Sequence, residues 1–92
     1  MTKQHLDALL KAAEAGKAKD GWREMAAGRE LTLYLATEGA HLTVSRITAI
    51  KEGASLLEAR SAKGEHYVLA LETVFAGAVD ESNDRHRKAG FV

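Results

Sequence analysis

The sequence predicts a mainly β domain of the α+β class, in which an N-terminal helix precedes a five-stranded, strongly bent antiparallel sheet that curls into a small barrel. Three observations support this prediction. Apolar residues recur with the 3.6-residue period of a helix in residues 2–16, and they alternate with the two-residue period of strands from Leu31 onward. The alternation then slips twice by one residue, which is typical of bulges or sharp bends.

Length and composition limit the classes of protein that fit. The 92 residues suffice for one domain, and the absence of cysteine excludes disulfides and thiolate metal sites. The 13 basic residues are balanced by 13 acidic ones, which argues against a strongly basic nucleic-acid-binding domain. No apolar run approaches the ~20 residues of a membrane span, and no signal peptide opens the chain. We therefore expect a soluble bacterial protein, cytoplasmic and without a membrane partner.

The N-terminal helix is predicted from one narrow apolar stripe. Leu6, Leu9 and Leu10 lie on one face of a helix that Thr2 can cap and that Gly16 would end. A helix this short needs a surface to lie on. That surface can be the chain's own sheet, or it can belong to a larger protein, in which case the three leucines are the docking anchors.

Two interpretations stay open for residues 17–30. Asp20 can cap a short second helix from Trp22 to Ala27, which Gly28 would end. Alternatively, this segment is a loop that lies across the barrel. Both interpretations assign residues 1–28 to an N-terminal helical segment, residues 29–80 to the barrel and residues 81–92 to a polar, exposed tail.

The strands follow from alternation between turns. One parity slip falls near Ser45-Arg46, inside the second strand, and the other falls at Glu72-Thr73, where a one-turn 3₁₀ step would separate two strands. No gap is long enough for a crossover helix, so neighbouring strands pair antiparallel. The five predicted strands span residues 31–36, 41–50, 56–60, 66–71 and 74–79.

The last strand predicts self-assembly. Residues 74–79 carry no charge and no proline, which are the usual protections of an exposed sheet edge. We therefore expect a homo-oligomer in which the last two strands pair between subunits. The predicted interface residues are His66, Val68, Ala70, Val74, Phe75, Ala76 and Val79.

No motif predicts catalysis, a metal site or a cofactor. The four histidines lack the spacing of metal ligands, and neither a nucleotide-binding glycine loop nor a nucleophile elbow is present. We expect a non-enzymatic protein without a cofactor.

The order of elements resembles the Sm-like family. A helix, the strand Leu31-Thr32-Leu33-Tyr34-Leu35, a glycine turn, a bent strand and a final pair split by a one-turn step are most similar to the bacterial Sm-like RNA chaperones, over residues 31–80. The resemblance implies a ring, in which the fourth strand of one subunit pairs with the fifth strand of the next, and it implies binding of single-stranded RNA. A related SH3-like barrel with another function would show the same strand pattern.

Three functions are thus expected: a self-assembling binding or scaffold module, an RNA-binding ring, or an accessory subunit that docks through its helix. For RNA, aromatic side chains can stack on bases and basic ones can neutralise phosphates. The candidate RNA-binding residues are Tyr34, Arg46, Lys63 and His66.

Overall fold

The computed structural model describes residues 1–17 and 19–81, and the predicted tail from residue 82 onward lies outside them. The α+β class is confirmed, since one helix precedes a mainly β chain. The elements are α1 (Lys3–Ala12), β1 (Trp22–Glu24), β2 (Arg29–Thr37), β3 (Ala40–Glu52), β4 (Leu56–Ser61), β5 (His66–Ala70), a 3₁₀ turn (Leu71–Thr73) and β6 (Val74–Glu81).

Helix α1 begins and packs as its stripe predicts. The Thr2 hydroxyl accepts a hydrogen bond from the His5 N–H at 3.1 Å, and Leu6 and Leu10 are buried against the sheet. The helix ends at Ala12, before the expected stop at Gly16, and Glu14 follows in the left-handed region at φ 53°. No helix of the described residues is long and apolar enough to cross a membrane.

Both interpretations of residues 17–30 were wrong, because this segment contains a short strand. β1 pairs antiparallel with the second half of β3, with Trp22 opposite Lys51. A tight turn introduces the strand: the N–H groups of Lys19 and Trp22 each donate to the other residue's carbonyl, at 2.8 and 2.9 Å. Asp20 and Gly21 both have positive φ, 55° and 85°, so this Asp-Gly pair forms a hairpin turn rather than a helix cap.

Both predicted parity slips are confirmed. On β3, Val44 lies opposite Leu33 but Ile47 lies opposite Leu31, so one extra residue bulges between them, and Arg46 there has φ 58°. The second slip is the 3₁₀ turn Leu71–Thr73. A further bulge, which the sequence did not predict, displaces Phe75 on β6.

The sheet is open rather than closed into the predicted barrel, and it has six strands instead of five. The strand order is β5-β4-β3-β2-β6, with β1 beside β3, and every pair is antiparallel. Only three residues join the two edge strands, so Ala70 and Val74 lie at most about 14 Å apart at opposite edges. The sheet is therefore strongly curled, and its inner face and α1 enclose the core.

Candidate assembly edges and binding surfaces

Strand β5 forms one edge of the sheet. Within the described residues its ladder is with β4 alone, so its other side presents unpaired backbone groups. Val68 faces outward and is 61% exposed, and His66 is exposed beside it. Leu69 is buried on the inner face and Tyr67 is half-buried there.

Strand β6 forms the opposite edge and pairs with β2 alone among the described strands. Its bulge turns Phe75 outward, and this residue is 58% exposed. Ala76 and Val79 are half-buried. Val74 was predicted as an interface residue, but it is fully buried in the core. Its side chain is therefore not available to a partner.

An aromatic cluster surrounds Phe75 on the outer face. The ring centroids of Tyr34 and Phe75 lie 6.5 Å apart, and those of His41 and Phe75 lie 6.4 Å apart. These contacts leave Tyr34 half-buried. Tyr34 is therefore part of a cluster on β2, β3 and β6 and is remote in the sheet order from the candidates on β5.

A polar pocket of about 250 Å³ brings two predicted RNA-binding residues together, Arg46 on β3 and Lys63 in the β4–β5 turn. The bulge that gives Arg46 its positive φ places it on the pocket wall, where its Nε lies 3.5 Å from Glu30 Oε1. Hydroxyl groups supply most of the remaining lining. The other lining residues are Thr43, Ser45, Ser61, Glu65 and Tyr67.

Ser61 organises this pocket, although the sequence gave no sign of its role. Its buried hydroxyl accepts hydrogen bonds from the N–H groups of Lys63 and Glu65, both at 3.2 Å, and donates to Glu65 Oε1 at 3.4 Å. The Tyr67 hydroxyl donates to the same carboxylate oxygen at 2.9 Å. This hydrogen bond to Glu65 raises the pKa of Tyr67, because ionised tyrosine would lose the bond and face a like charge.

His66 lies outside the polar pocket, in a separate cluster on the outer face. Its Nε2 is 2.9 Å from Glu58 Oε1, and its ring meets Trp22 edge-on with centroids 5.4 Å apart. The Arg60 guanidinium carbon lies 4.3 Å from the Trp22 ring centroid, a cation–π contact. Strand β1, which was not predicted, places Trp22 in this position. The Asp20-Gly21 pair, a common hairpin-turn sequence, was the sequence signal for this strand.

An apolar pocket of about 440 Å³ lies where the β3–β4 turn meets the end of β5. Leu56, 51% exposed, is its largest exposed apolar side chain. No sequence pattern predicts this pocket, because its walls come from segments far apart in the chain. The remaining lining residues are Met1, Ala54, Ser55, Ala70, Leu71 and Glu72.

The leucines proposed as docking anchors are occupied within the chain. Leu6 and Leu10 are only 1% and 0% exposed, and Leu9 packs over Gly77 of β6. The helix thus completes the core of its own domain. Leu9 is only partly buried, and the exposed side of α1 carries Lys3, Asp7 and Lys11.

Comparison with known proteins gave no assignment. No family model, curated protein or solved structure matches the chain at a significant level. The functional proposals therefore rest on the two sheet edges and on the polar pocket of the described residues.

Proposed function

We propose that this chain is a non-enzymatic module that self-assembles through its two sheet edges, with β5 of one copy pairing with β6 of the next, and that the assembly acts as a binding or scaffold protein. The observation that carries the proposal is the pair of edges that lack a strand partner in the described residues. Each edge also carries a large exposed apolar side chain, Val68 on β5 and Phe75 on β6.

The composition of these edges supports pairing with another copy. Exposed edges are usually protected by charges, proline or a covering element. The segment Val74–Val79 has neither charge nor proline, and the outward residues of β5 include only His66 as a titratable group. Burying a side chain such as Val68 contributes roughly 1.5–3 kcal/mol, in addition to the hydrogen bonds of the new ladder.

Pairing of unlike edges has a consequence for the form of the assembly. An interface that joins different surfaces of identical subunits produces a ring if the rotation closes and a filament otherwise. A ring satisfies both edges of every copy. The bent β3 and the 3₁₀ turn between the last two strands also support the resemblance to Sm-like rings.

Light scattering coupled to size-exclusion chromatography tests the proposal. We expect one species with a mass several times that of the 9.9 kDa chain. Val68→Lys should convert it to monomer, because lysine at the edge opposes strand addition. Leu42→Lys is the matched control, since Leu42 is 54% exposed but lies on β3, and it should keep the wild-type mass. A wild-type protein that stays monomeric at high concentration would overturn the proposal.

Single-stranded RNA binding is the second candidate, and the polar pocket favours it. Arg46 and Lys63 can contact phosphates there, while the hydroxyls of Thr43 and Ser45 can donate hydrogen bonds. A ring would repeat the pocket and align it for a continuous strand. Fluorescence anisotropy with labelled oligo-U and oligo-A at low salt tests this function, and no change in anisotropy with either oligomer would remove it.

A further inference from the structure

We propose that the polar pocket is a site for one phosphate group, and that Arg46 occupies a strained position of β3 because its side chain binds this group. The site does not depend on the assembly of copies. It narrows the second candidate function to one chemical group, which an RNA strand and a free phosphate ester have in common.

Arg46 has a backbone conformation that residues with side chains rarely adopt. Its φ of 58° lies in the left-handed region, at the bulge between Val44 and Ile47. A Cβ atom makes this region unfavourable, so a bulge that needs it usually places glycine there. The bend of β3 alone would therefore favour glycine, and the presence of arginine needs a separate reason. Strained residues of this kind cluster at ligand-binding sites.

The backbone of Arg46 joins the bulge to the β4–β5 turn. Its carbonyl accepts a hydrogen bond from the Ala62 N–H at 2.8 Å. The next residue of the turn is Lys63, whose N–H donates to the buried Ser61 hydroxyl at 3.2 Å. The bulge and the turn are thus held together, and each of them contributes one cationic side chain to the same pocket.

The Arg46 side chain is oriented by a carboxylate that does not line the pocket. Its Nε lies 3.5 Å from Glu30 Oε1, and the Glu30 side chain is only 13% exposed, whereas that of Arg46 is 55% exposed. Because the closest contact uses Nε, the terminal amino groups of the guanidinium are available for a second anion. Arginine binds phosphate through such N–H groups.

Glu65 is the single carboxylate among the lining residues that the structure describes, and hydrogen bonds within the pocket engage it. Its Oε1 accepts from the Ser61 hydroxyl at 3.4 Å and from the Tyr67 hydroxyl at 2.9 Å. The second bond raises the pKa of Tyr67, so this hydroxyl stays protonated at neutral pH and adds no negative charge. Arg46 and Lys63 therefore outnumber the carboxylate, which favours an anionic ligand.

The remaining donors and the size of the pocket fit a phosphate group. Thr43 and Ser45 add hydroxyls to the guanidinium and the ammonium group of the lining. A phosphate group offers three strong acceptor oxygens to such donors, whereas a carboxylate offers two. The pocket volume of about 250 Å³ is several times the ~30 Å³ share of one water molecule, so the ester substituent or bound waters also fit.

Binding of inorganic phosphate to the full chain tests the site. Thermal unfolding is followed at increasing phosphate concentration, with sodium chloride keeping the ionic strength constant. A ligand of the folded state raises the Tm. We expect a clear rise for the wild type and a much smaller one for Arg46→Gln and for Lys63→Gln, because the loss of a charged hydrogen bond weakens affinity about 10- to 100-fold.

Lys11→Gln is the control for this measurement, because Lys11 is exposed on α1 and does not line the pocket. It should respond to phosphate as the wild type does. An equal rise of the Tm in the wild type and in all three variants would indicate a general salt effect and would overturn the proposal.

Two further variants test the strain at Arg46. Arg46→Gly and Arg46→Ala both remove the contact with Glu30, so they differ chiefly in the backbone preference of the new residue. In an ordinary strand position glycine is the less stable of the two. At position 46 we expect the reverse, with a Tm about 3–8 °C higher for the glycine variant and no phosphate binding in either. An alanine variant at least as stable as the glycine variant would overturn the strained role of Arg46.

Competition separates the two sources of the phosphate group. If labelled oligo-U binds and inorganic phosphate displaces it at constant ionic strength, the pocket takes the phosphates of a strand. If phosphate raises the Tm but oligo-U does not bind, the pocket takes a free phosphate ester, and the RNA function alone fails. No phosphate-dependent rise of the Tm in the wild type would overturn the inference, while the mass from light scattering decides the assembly independently.

Discussion

Gly77 of β6 lies beneath Leu9 of α1, and a side chain at position 77 would fit only if Leu9 moved. A Cβ atom there would come 2.5 Å from Leu9 Cδ1 and 3.2 Å from Leu33 Cδ2. Since real Cβ contacts are longer, something must move to accommodate even alanine. The helix is thus seated on the same strand that forms one edge of the sheet.

Gly77→Ala should lower the free energy of unfolding by about 0.5–1.5 kcal/mol, because the new methyl group forces the partly buried Leu9 side chain out of its preferred rotamer. Urea denaturation at fixed protein concentration measures the change. The double variant Gly77→Ala/Leu9→Ala should lose less than the sum of the two single changes, since Leu9 makes the closest contact. Strict additivity would contradict this account.

Ser61→Ala should also lower the free energy of unfolding, by about 1–3 kcal/mol, because two backbone N–H groups of the β4–β5 turn lose their acceptor. Thermal and urea denaturation measure the effect. Ser45→Ala is the matched control, as Ser45 lines the same pocket but is exposed, and it should leave stability almost unchanged. Equal effects of the two substitutions would show that Ser61 has no organising role.

The hydroxyl of Tyr67 should ionise above the ordinary tyrosine pKa of 10.0, because it donates to Glu65. Absorbance titration in a Tyr34→Phe background isolates this group, since the chain has two tyrosines. Glu65→Gln should bring the pKa of Tyr67 down toward 10.0. An unchanged titration curve in that variant would contradict the assignment.

The same shift has a defined effect on stability. A raised pKa means that the folded state favours neutral Tyr67, so this contribution is complete below pH 10.0. It should be lost progressively as the pH rises above 10.0 through the higher pKa of the folded state. The loss, measured by urea denaturation at alkaline pH, should be smaller in the Glu65→Gln variant.

Gly21→Ala should destabilise β1 by about 1 kcal/mol, because the residue has φ 85° and a Cβ there would meet the Lys51 side chain. Tryptophan fluorescence should shift toward the spectrum of exposed indole, since Trp22 follows directly. Gly16→Ala serves as the control, because Gly16 lacks a positive φ and has no close neighbour at its Cβ position. A normal fluorescence spectrum in Gly21→Ala would argue against the turn.

If RNA binds at the polar pocket, Arg46→Gln combined with Lys63→Gln should weaken binding and lower the slope of log affinity against log salt. Two lost phosphate contacts correspond to a change of about 1.4 in that slope for a single strand. Lys11→Gln is the control, because Lys11 is exposed on α1, away from the pocket. An equal slope in the double variant and the wild type would place RNA elsewhere.

Local patterns in the sequence were sufficient for several elements. The slip at Ser45-Arg46 predicted the bulge, because side chains alternate faces along a strand and one extra residue reverses the alternation. The leucine stripe predicted which face of α1 is buried, because apolar residues spaced by the helical period lie on one face of a helix. The three-residue strand β1 was missed, since its partner on β3 lies far along the chain and no local period reveals it.

The candidate sites were less accessible from the sequence than the strands. Arg46 and Lys63 were recognised as basic residues, but Ser61 and Tyr67 join them only because the bulge and the β4–β5 turn meet. Likewise, His66 was assigned to RNA binding, yet the structure places it against Glu58 and Trp22. Side chains from three strands meet there.

By itself, the sequence determined which residues alternate and which turns contain glycine, since these properties depend on neighbours within a few positions. Only the tertiary structure decided that the sheet stays open, that α1 covers Gly77 and that β5 and β6 form its two edges. Those outcomes depend on strand order and curvature. They arise from contacts between residues distant in the chain, whose geometry no short sequence pattern encodes.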